Sequence, residues 1–404
     1  MMKLEIEVGI DNIEQSNKFL RKLWALFNEE FGKCSWLYSP FKIGEYQQIY
    51  LGRVDIKDYN LEISILYKNR GSITKMIFEN SDGNNLDEKM RDTLKKLVKY
   101  AKNNYEKKET FFFEATIISN YIISNYEIQF QSMQIFGLKN KSSNLLFSVS
   151  AHDQNQANGK AIEFINETLD FLSIETNLMF YLDNICVIEN VKFKEKDEMT
   201  YNKKEIYQEN SDFIEGYSTN NEQIVISKEA IQFLKYIQNN DDEDIRAFMR
   251  ACHHFHTARK LDSETFEVNS IHKKSNSRLD SNLEIANTLY LSALEVVSSI
   301  GFESDRCSEC NQLKYSISKR VKDITNKYLN KNVAKEIVKF YSLRSKYLHE
   351  GVLNRSTSPT IQFIPLLDNS TKSGCKEIFV ASIYNLREYT SYILRRFYRE
   401  FFDL

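Results

Sequence analysis

The sequence predicts an α+β protein: an N-terminal mixed sheet-and-helix region followed by a C-terminal all-helical bundle. Three observations predict it. Between residues 46 and 151, β-branched and aromatic residues fall in short runs separated by Asn, Asp and Gly clusters. One long amphipathic stretch interrupts those runs and another follows them. Beyond residue 225 the apolar residues recur with the helical period over stretches too long for strands.

In chain order, residues 11–31 predict a helix with Leu20, Trp24 and Phe27 on one side. Gln48–Val54, Leu61–Tyr67 and Ile73–Phe78 predict strands, with turns at Asn69-Arg70-Gly71 and Ser81-Asp82-Gly83-Asn84. Leu86–Tyr105 predicts an amphipathic helix. Thr110–Ile118, Tyr126–Phe136 and Asn144–Ala151 predict a second set of strands, and a helix is expected from Gln156 to about Met179. This strands-then-helix order, met twice, suggests a diverged duplication, although no residues match between the halves. Residues 192–224 are charged and polar and are expected to be a linker or excursion. Six helices follow: Lys228–Asn239, Glu243–Leu261, Asn282–Ile300, Ser316–Asn330, Asn332–Glu350 and Lys376–Phe402. The expected division is 1–191, the 192–224 linker, and 225–404.

Composition narrows the class. The chain has 404 residues, enough for two or three cores, with 42% hydrophobic and 27% charged content. No apolar run approaches the roughly 20 residues of a membrane span, and no membrane partner is expected. The N-terminal M-M-K-L-E-I-E has no apolar h-region, so a signal peptide is not expected. Six scattered cysteines do not make a disulfide framework, and a reducing cytoplasm is the expected compartment. Net charge is −2, which excludes a uniformly basic nucleic-acid binder. The halves differ: residues 225–404 carry 27 Lys and Arg against 22 Asp and Glu, and residues 1–224 carry 27 against 34. A mildly basic C-terminal part fits an RNA-facing domain.

The most informative stretch is Arg344-Ser-Lys-Tyr-Leu-His349. At about 100° per residue, Val333, Ala334, Ile337, Phe340, Tyr341 and Leu348 share one helix face, and Arg344 falls in its middle. A guanidinium on an apolar stripe cannot shed its proton and needs a partner or a purpose. His349 falls in the last turn, where the negative end of the helix dipole favours a cationic imidazole. A fixed cation with a titratable imidazole can cleave a phosphodiester without a metal: the 2′-OH attacks, His349 serves as general base or acid, and Arg344 neutralises the phosphorane. The alternative is a structural Arg344 paired with a carboxylate and a His349 that only caps the helix.

Phe340-Tyr-Ser-Leu-Arg-Ser-Lys-Tyr-Leu-His-Glu-Gly351 resembles the R-x4-6-H motif of HEPN domains, most closely the Apea-like branch. Leu291-Ser-Ala-Leu-Glu295 and Tyr315-Ser-Ile-Ser-Lys-Arg320 resemble the same branch, and the likeness covers roughly the last 160 to 180 residues. It implies a homodimer with two such helices at one cleft. It also implies an endoribonuclease effector, leaving 2′,3′-cyclic phosphate and 5′-OH ends, in anti-phage defence (abortive infection) or toxin-like growth arrest in a bacterium. The substrate would be tRNA or another single-stranded RNA, and the N-terminal region would sense a phage or cellular trigger. The alternative is a non-catalytic dimerisation or RNA-binding module.

Other residues carry smaller expectations. Glu295, the only acid from Ile285 to Ile300, is expected either to orient Arg344 across two helices or to sit solvated at the surface. Lys346 and Tyr347 are candidates for phosphate contact and base stacking. Cys307-Ser-Glu-Cys310 is half of a tetrahedral zinc site, with Cys252, His253, His256 and Cys375 as candidates for the rest; two free thiols are the preferred reading, and no cofactor is required. The Cys252–His256 cluster with Arg259 and Lys260 is read as helix-end stabilisation, and an RNA-backbone patch with His272, Lys273 and Lys274 is the alternative. Arg387, Arg395, Arg396 and Arg399 are expected to line a solvated helix face. P-loop, G-x-G-x-x-G, H-E-x-x-H and G-x-S-x-G signatures are absent from the sequence.

Overall fold

The structure, a computed structural model, describes residues 3–32, 35–42, 47–56, 59–83, 85–119, 122–123, 127–130, 133–137, 142–189, 191, 193, 198–200, 223–224, 226–238, 242–271, 276–302, 317–350, 367 and 383–404. The chain is α+β, with an N-terminal region of sheets and helices and a C-terminal run of helices. It divides into two compact units, residues 1–111 with 149–160, and residues 112–148 with 161–404. The division passes through the second sheet and the helix after it, not through the charged segment 192–224. Most of that segment lies outside the described residues.

The first unit opens with β1 (Leu4–Ile10) and α1 (Ile13–Phe31), then β2 (Ser35–Lys42), β3 (Gln48–Ile56), β4 (Tyr59–Leu66) and β5 (Ile73–Asn80), and α2 (Glu88–Asn104). The strands form one sheet in the order β1-β5-β4-β3-β2, with every neighbouring pair antiparallel. Alternation decides which faces are buried: in β4 Leu61, Ile63 and Ile65 point into the core with Phe19, Leu23 and Phe27 of α1 and Leu94, Val98 and Ala101 of α2. Helix starts are capped as the sequence permits. Asn12 accepts from the Gln15 N–H at 2.8 Å, and Asp87 from the Met90 N–H at 2.7 Å. Gly32, at φ +77°, ends α1.

The second sheet is built from β6 (Glu109–Ser119), β7 (Ile122–Ile123), β8 (Glu127–Phe130), β9 (Met133–Gly137) and β10 (Ser142–Ala151). α3 (Gln154–Thr176), β11 (Phe180–Ile188) and β12 (Glu198–Thr200) follow. Its order is β11-β6-β10-β9-β8-β12, while β7 pairs in parallel with β13 (Gln223–Ile224). In both large sheets the first strand lies beside the last of its set, the earlier strands step back in order, and a helix follows. The expected single strand Tyr126–Phe136 is instead a hairpin, with β8 and β9 paired Glu127 to Phe136 through Phe130 to Met133.

The helices that follow are α4 (Lys228–Gln238), α5 (Glu243–Ile271), α6 (Asn276–Val297), α7 (Ile317–Tyr328), α8 (Lys331–Glu350) and α9 (Ile383–Phe401). Phe171 of α3, Phe233 of α4, Phe248 of α5 and Tyr398 of α9 meet with ring centroids 4.8–5.9 Å apart. Beside them the buried carboxylate of Glu175 accepts from Ser227 (2.8 Å), Tyr398 (2.9 Å) and Arg399 (2.7 Å). Ser227 also caps α4 through the Ala230 N–H. The expectation that the α9 arginines line a solvated face is therefore corrected. Arg395 is fully buried and Arg399 serves Glu175, because α9 is covered on more than one side; Arg396 alone of these three is exposed. Among the described residues no helix is long and apolar enough to cross a membrane.

Candidate functional site

α8 carries the Arg344 motif. Its stripe is buried at Ala334, Ile337 and Phe340, half-buried at Tyr341, and opens to solvent at Leu348, which is 53% exposed. Arg344 sits where core gives way to surface. From there it donates to the Glu295 carboxylate of α6, and reaches Ser292 Oγ one turn earlier on α6 at 3.4 Å. The Tyr341 hydroxyl donates to the same Glu295 oxygen at 2.5 Å, and the guanidinium lies 5.7 Å from the Tyr341 ring. Burial, then the Glu295 hydrogen bond, pushes the Tyr341 phenol well above its ordinary value, so it remains a donor. Glu295 thus holds Arg344 and Tyr341 at once.

The other side of this edge of α6 is met by α5. His254 is half-buried, lies against the main chain of Ser292 and feels the Glu295 charge. Its Nδ1 is buried and bonds none of the described residues. Burial, followed by the neighbouring His253, lowers its pKa, so the imidazole is neutral at pH 7. Four polar side chains from two helices, Ser292, Glu295, Tyr341 and Arg344, therefore form one partly exposed cluster, with His254 of α5 on the other side of the same α6 edge. The arrangement presents a guanidinium of fixed direction at a partly exposed position, where an anionic ligand could meet it.

His349 is not brought into that cleft. It is exposed in the last turn of α8, and five residues of helix place it about 7.5 Å along and about 140° around from Arg344. Tyr347 is half-buried on the same helix; the Lys346 side chain lies outside the described residues. Cys307, Cys310, Cys375 and the His272-Lys273-Lys274 segment also lie outside them.

The remaining histidines of α5 are committed elsewhere. Asp170 of α3 takes Nδ1 of His253 at 2.9 Å and Nδ1 of His256 at 2.7 Å. The other His256 nitrogen is within hydrogen-bonding distance of the Phe180 main chain, at 3.0 and 3.1 Å from its carbonyl and N–H. Burial raises the Asp170 carboxyl, and the two imidazoles reverse that and hold it low; Asp170 in turn raises His253. Cys252 is buried and its thiol is pushed well up, chiefly by desolvation. Among the described residues no group of three or more His, Cys, Asp or Glu is arranged to hold a metal ion.

Sequence reasoning singled out Arg344, Glu295, His349, Lys346 and Tyr347 but gave His254, Ser292 and Tyr341 no part in one site. A legible signal existed: Ser292 is three positions before Glu295, on the same face of α6. Which α5 residue meets that face depends on interhelical register, which no local pattern carries. No protein-family model, no curated protein and no solved structure matches this chain.

Proposed function

We propose that the chain is an endoribonuclease effector of HEPN type. It would cut RNA by attack of the ribose 2′-OH on the adjacent phosphate, a route that needs no metal ion. The observation that carries this reading is the Arg344–Glu295–Tyr341 cluster across α6 and α8, joined to the R-x4-H spacing of α8. Glu295 fixes the guanidinium's direction, and the Arg344 and Glu295 side chains stay partly exposed, which is where a phosphate would approach. As the phosphorane forms, that fixed cation stabilises charge that develops only in the transition state. His349 acts as acid–base imidazole, with Lys346 and Tyr347 alongside the substrate.

The divergence of Arg344 and His349 around α8 supports a homodimer, in which the exposed His349 of one copy completes the cleft of the other. Leu348, apolar and half-exposed beside His349, suits such a face. A growth-arrest or anti-phage role follows from the HEPN resemblance. The feature that supports a trigger-sensing role for the first unit is its largely apolar cavity of about 520 Å³, lined by Leu20, Trp24, Ile49, Leu51 and Tyr67, in the size range of small-molecule sites. The test is direct. Wild type, Arg344→Ala and His349→Ala are expressed at equal levels and cellular RNA ends are sequenced. Cyclic-phosphate ends should appear with wild type and be depleted in both variants.

A further inference from the structure

β3 does not enter the core of the first unit along its whole length. Its register against β4 shifts between Tyr50 and Gly52. Past that bulge Val54 and Ile56 are buried; up to it Ile49 and Leu51 are only partly covered. α1 has a matching edge: Leu20 and Trp24 are half-buried, beside the buried Phe19, Leu23 and Phe27. These two edges wall the cavity of about 520 Å³. Ile13 also lines it and is 65% exposed, so the cavity opens to solvent.

Arg21 is the only charged side chain among the described residues that line this cavity. Asp153 accepts from one of its terminal nitrogens at 2.5 Å, and Asp153 is itself fixed by the Gln156 N–H at 2.7 Å, in the first turn of α3. The guanidinium is thus held in place and keeps further donors. Its side chain is 28% exposed, and none of its unpaired nitrogens is shut off from solvent.

We propose that this cavity binds a small aromatic carboxylic acid as its anion, with the ring system against Trp24 and the aliphatic side chains of β3 and the carboxylate on Arg21. This deepens the trigger-sensing reading above; the ligand's role as a trigger rests on that reading, and its binding does not. Three features select the class. The volume is that of sites for drug-sized molecules. Trp24, backed by the Phe27 ring at 5.8 Å, and Tyr67 give flat apolar surface that suits a ring. A guanidinium with no carboxylate among the lining residues favours an anion over a cation, and its planar fork matches a carboxylate. A sugar or nucleotide would need more polar partners than these walls offer.

The experiment uses the full-length protein, isothermal titration calorimetry at neutral pH, and two probes of one shape: 2-naphthaleneacetate and its neutral amide, 2-naphthaleneacetamide. Wild type, Arg21→Gln and Leu51→Trp are compared, with a thermal melt of each. The acid is expected to bind wild type saturably, and the amide about tenfold more weakly. Arg21→Gln should bring the acid down to the affinity of the amide and leave the amide unchanged. Leu51→Trp, which fills the cavity, should lose both. If the variants melt early, the wild-type ratio decides: equal affinity for the two probes, or saturable binding of neither, overturns the proposal. Acid binding kept by Leu51→Trp overturns it too. So does acid binding that fades as wild type self-associates in sedimentation, since a second copy would then cover the cavity. RNA cleavage is followed with and without 2-naphthaleneacetate. Binding that leaves cleavage unchanged supports the site and overturns the trigger role. Binding by a protein that cleaves no RNA supports the site and overturns the ribonuclease reading.

Discussion

Arg344 is held in place by a carboxylate, and that hold sets what its loss would do. Replacing Glu295 with Gln keeps the shape but removes the charge facing the guanidinium. We expect about 2 kcal/mol of stability to go, the range for a hydrogen bond to a charged group, and the melt of Glu295→Gln checks it. Cleavage should fall further than stability, because Arg344 would lose its fixed direction. A second residue gives a cleaner pH test. Burial, with Glu163 and Asp170 nearby, raises the Glu167 carboxyl from 4.5 to about 7. A carboxyl raised on folding contributes stability that is complete below its unfolded value and lost as pH climbs through its folded one. Glu167→Gln should therefore melt like wild type near pH 4.5 and above it at pH 8, by about 1–2 kcal/mol once its partial solvation is discounted. Melting curves at the two pH values decide it; a gap that opens on the acid side contradicts the assignment. At this scale the sequence made Arg344 legible, because a cation on a helical stripe shows in the period alone. His254 was not legible, since its neighbours Ser292 and Glu295 lie about forty positions on and meet it only through the register of α5 against α6.

Helices were the readable elements. α1, α2, α4, α7 and α8 fall within a few residues of where apolar spacing and caps put them, since a 3.6-residue period persists long enough to be read. Strands were less so. β1, β2 and β11 had no sequence assignment; β11 follows α3 within four residues, after Asn177 turns the chain at φ 57°. β8 and β9 read as one run because two short strands of one hairpin share the same composition. The joint between elements that matters most is the Glu175 network, which fastens the end of α3 to the cap of α4 and to α9. Ser227→Ala removes a helix cap and one Glu175 donor together, an expected cost of about 1–2 kcal/mol. Glu175→Ala takes the carboxylate from Arg399 and leaves a buried void, and should cost about 3–5 kcal/mol. Denaturant titration of the two variants should rank them in that order; the reverse order would mean that the carboxylate is not the anchor.

For the whole molecule, the helical part is not separable at the charged segment. Asp170 and Glu175 both precede residue 225, yet they satisfy His253, His256, Ser227, Tyr398 and Arg399 beyond it. A fragment of residues 225–404 should consequently fail to give a cooperative melt, as circular dichroism would show; a cooperative melt close to that of the full chain contradicts this. Composition and periodicity disclosed the α+β class. They could not disclose that α3 joins the later helices, because contacts spanning 52 to 224 positions leave no local trace. The central claim is RNA cleavage at the Arg344 cleft. It is tested most directly by incubating purified full-length wild type, Arg344→Ala and His349→Ala with one end-labelled RNA in the presence of a chelator and identifying the ends. The account predicts 2′,3′-cyclic phosphate and 5′-OH ends from wild type, reduced at least a hundredfold in either variant. Equal cleavage by all three, or 3′-OH ends from wild type, would contradict it.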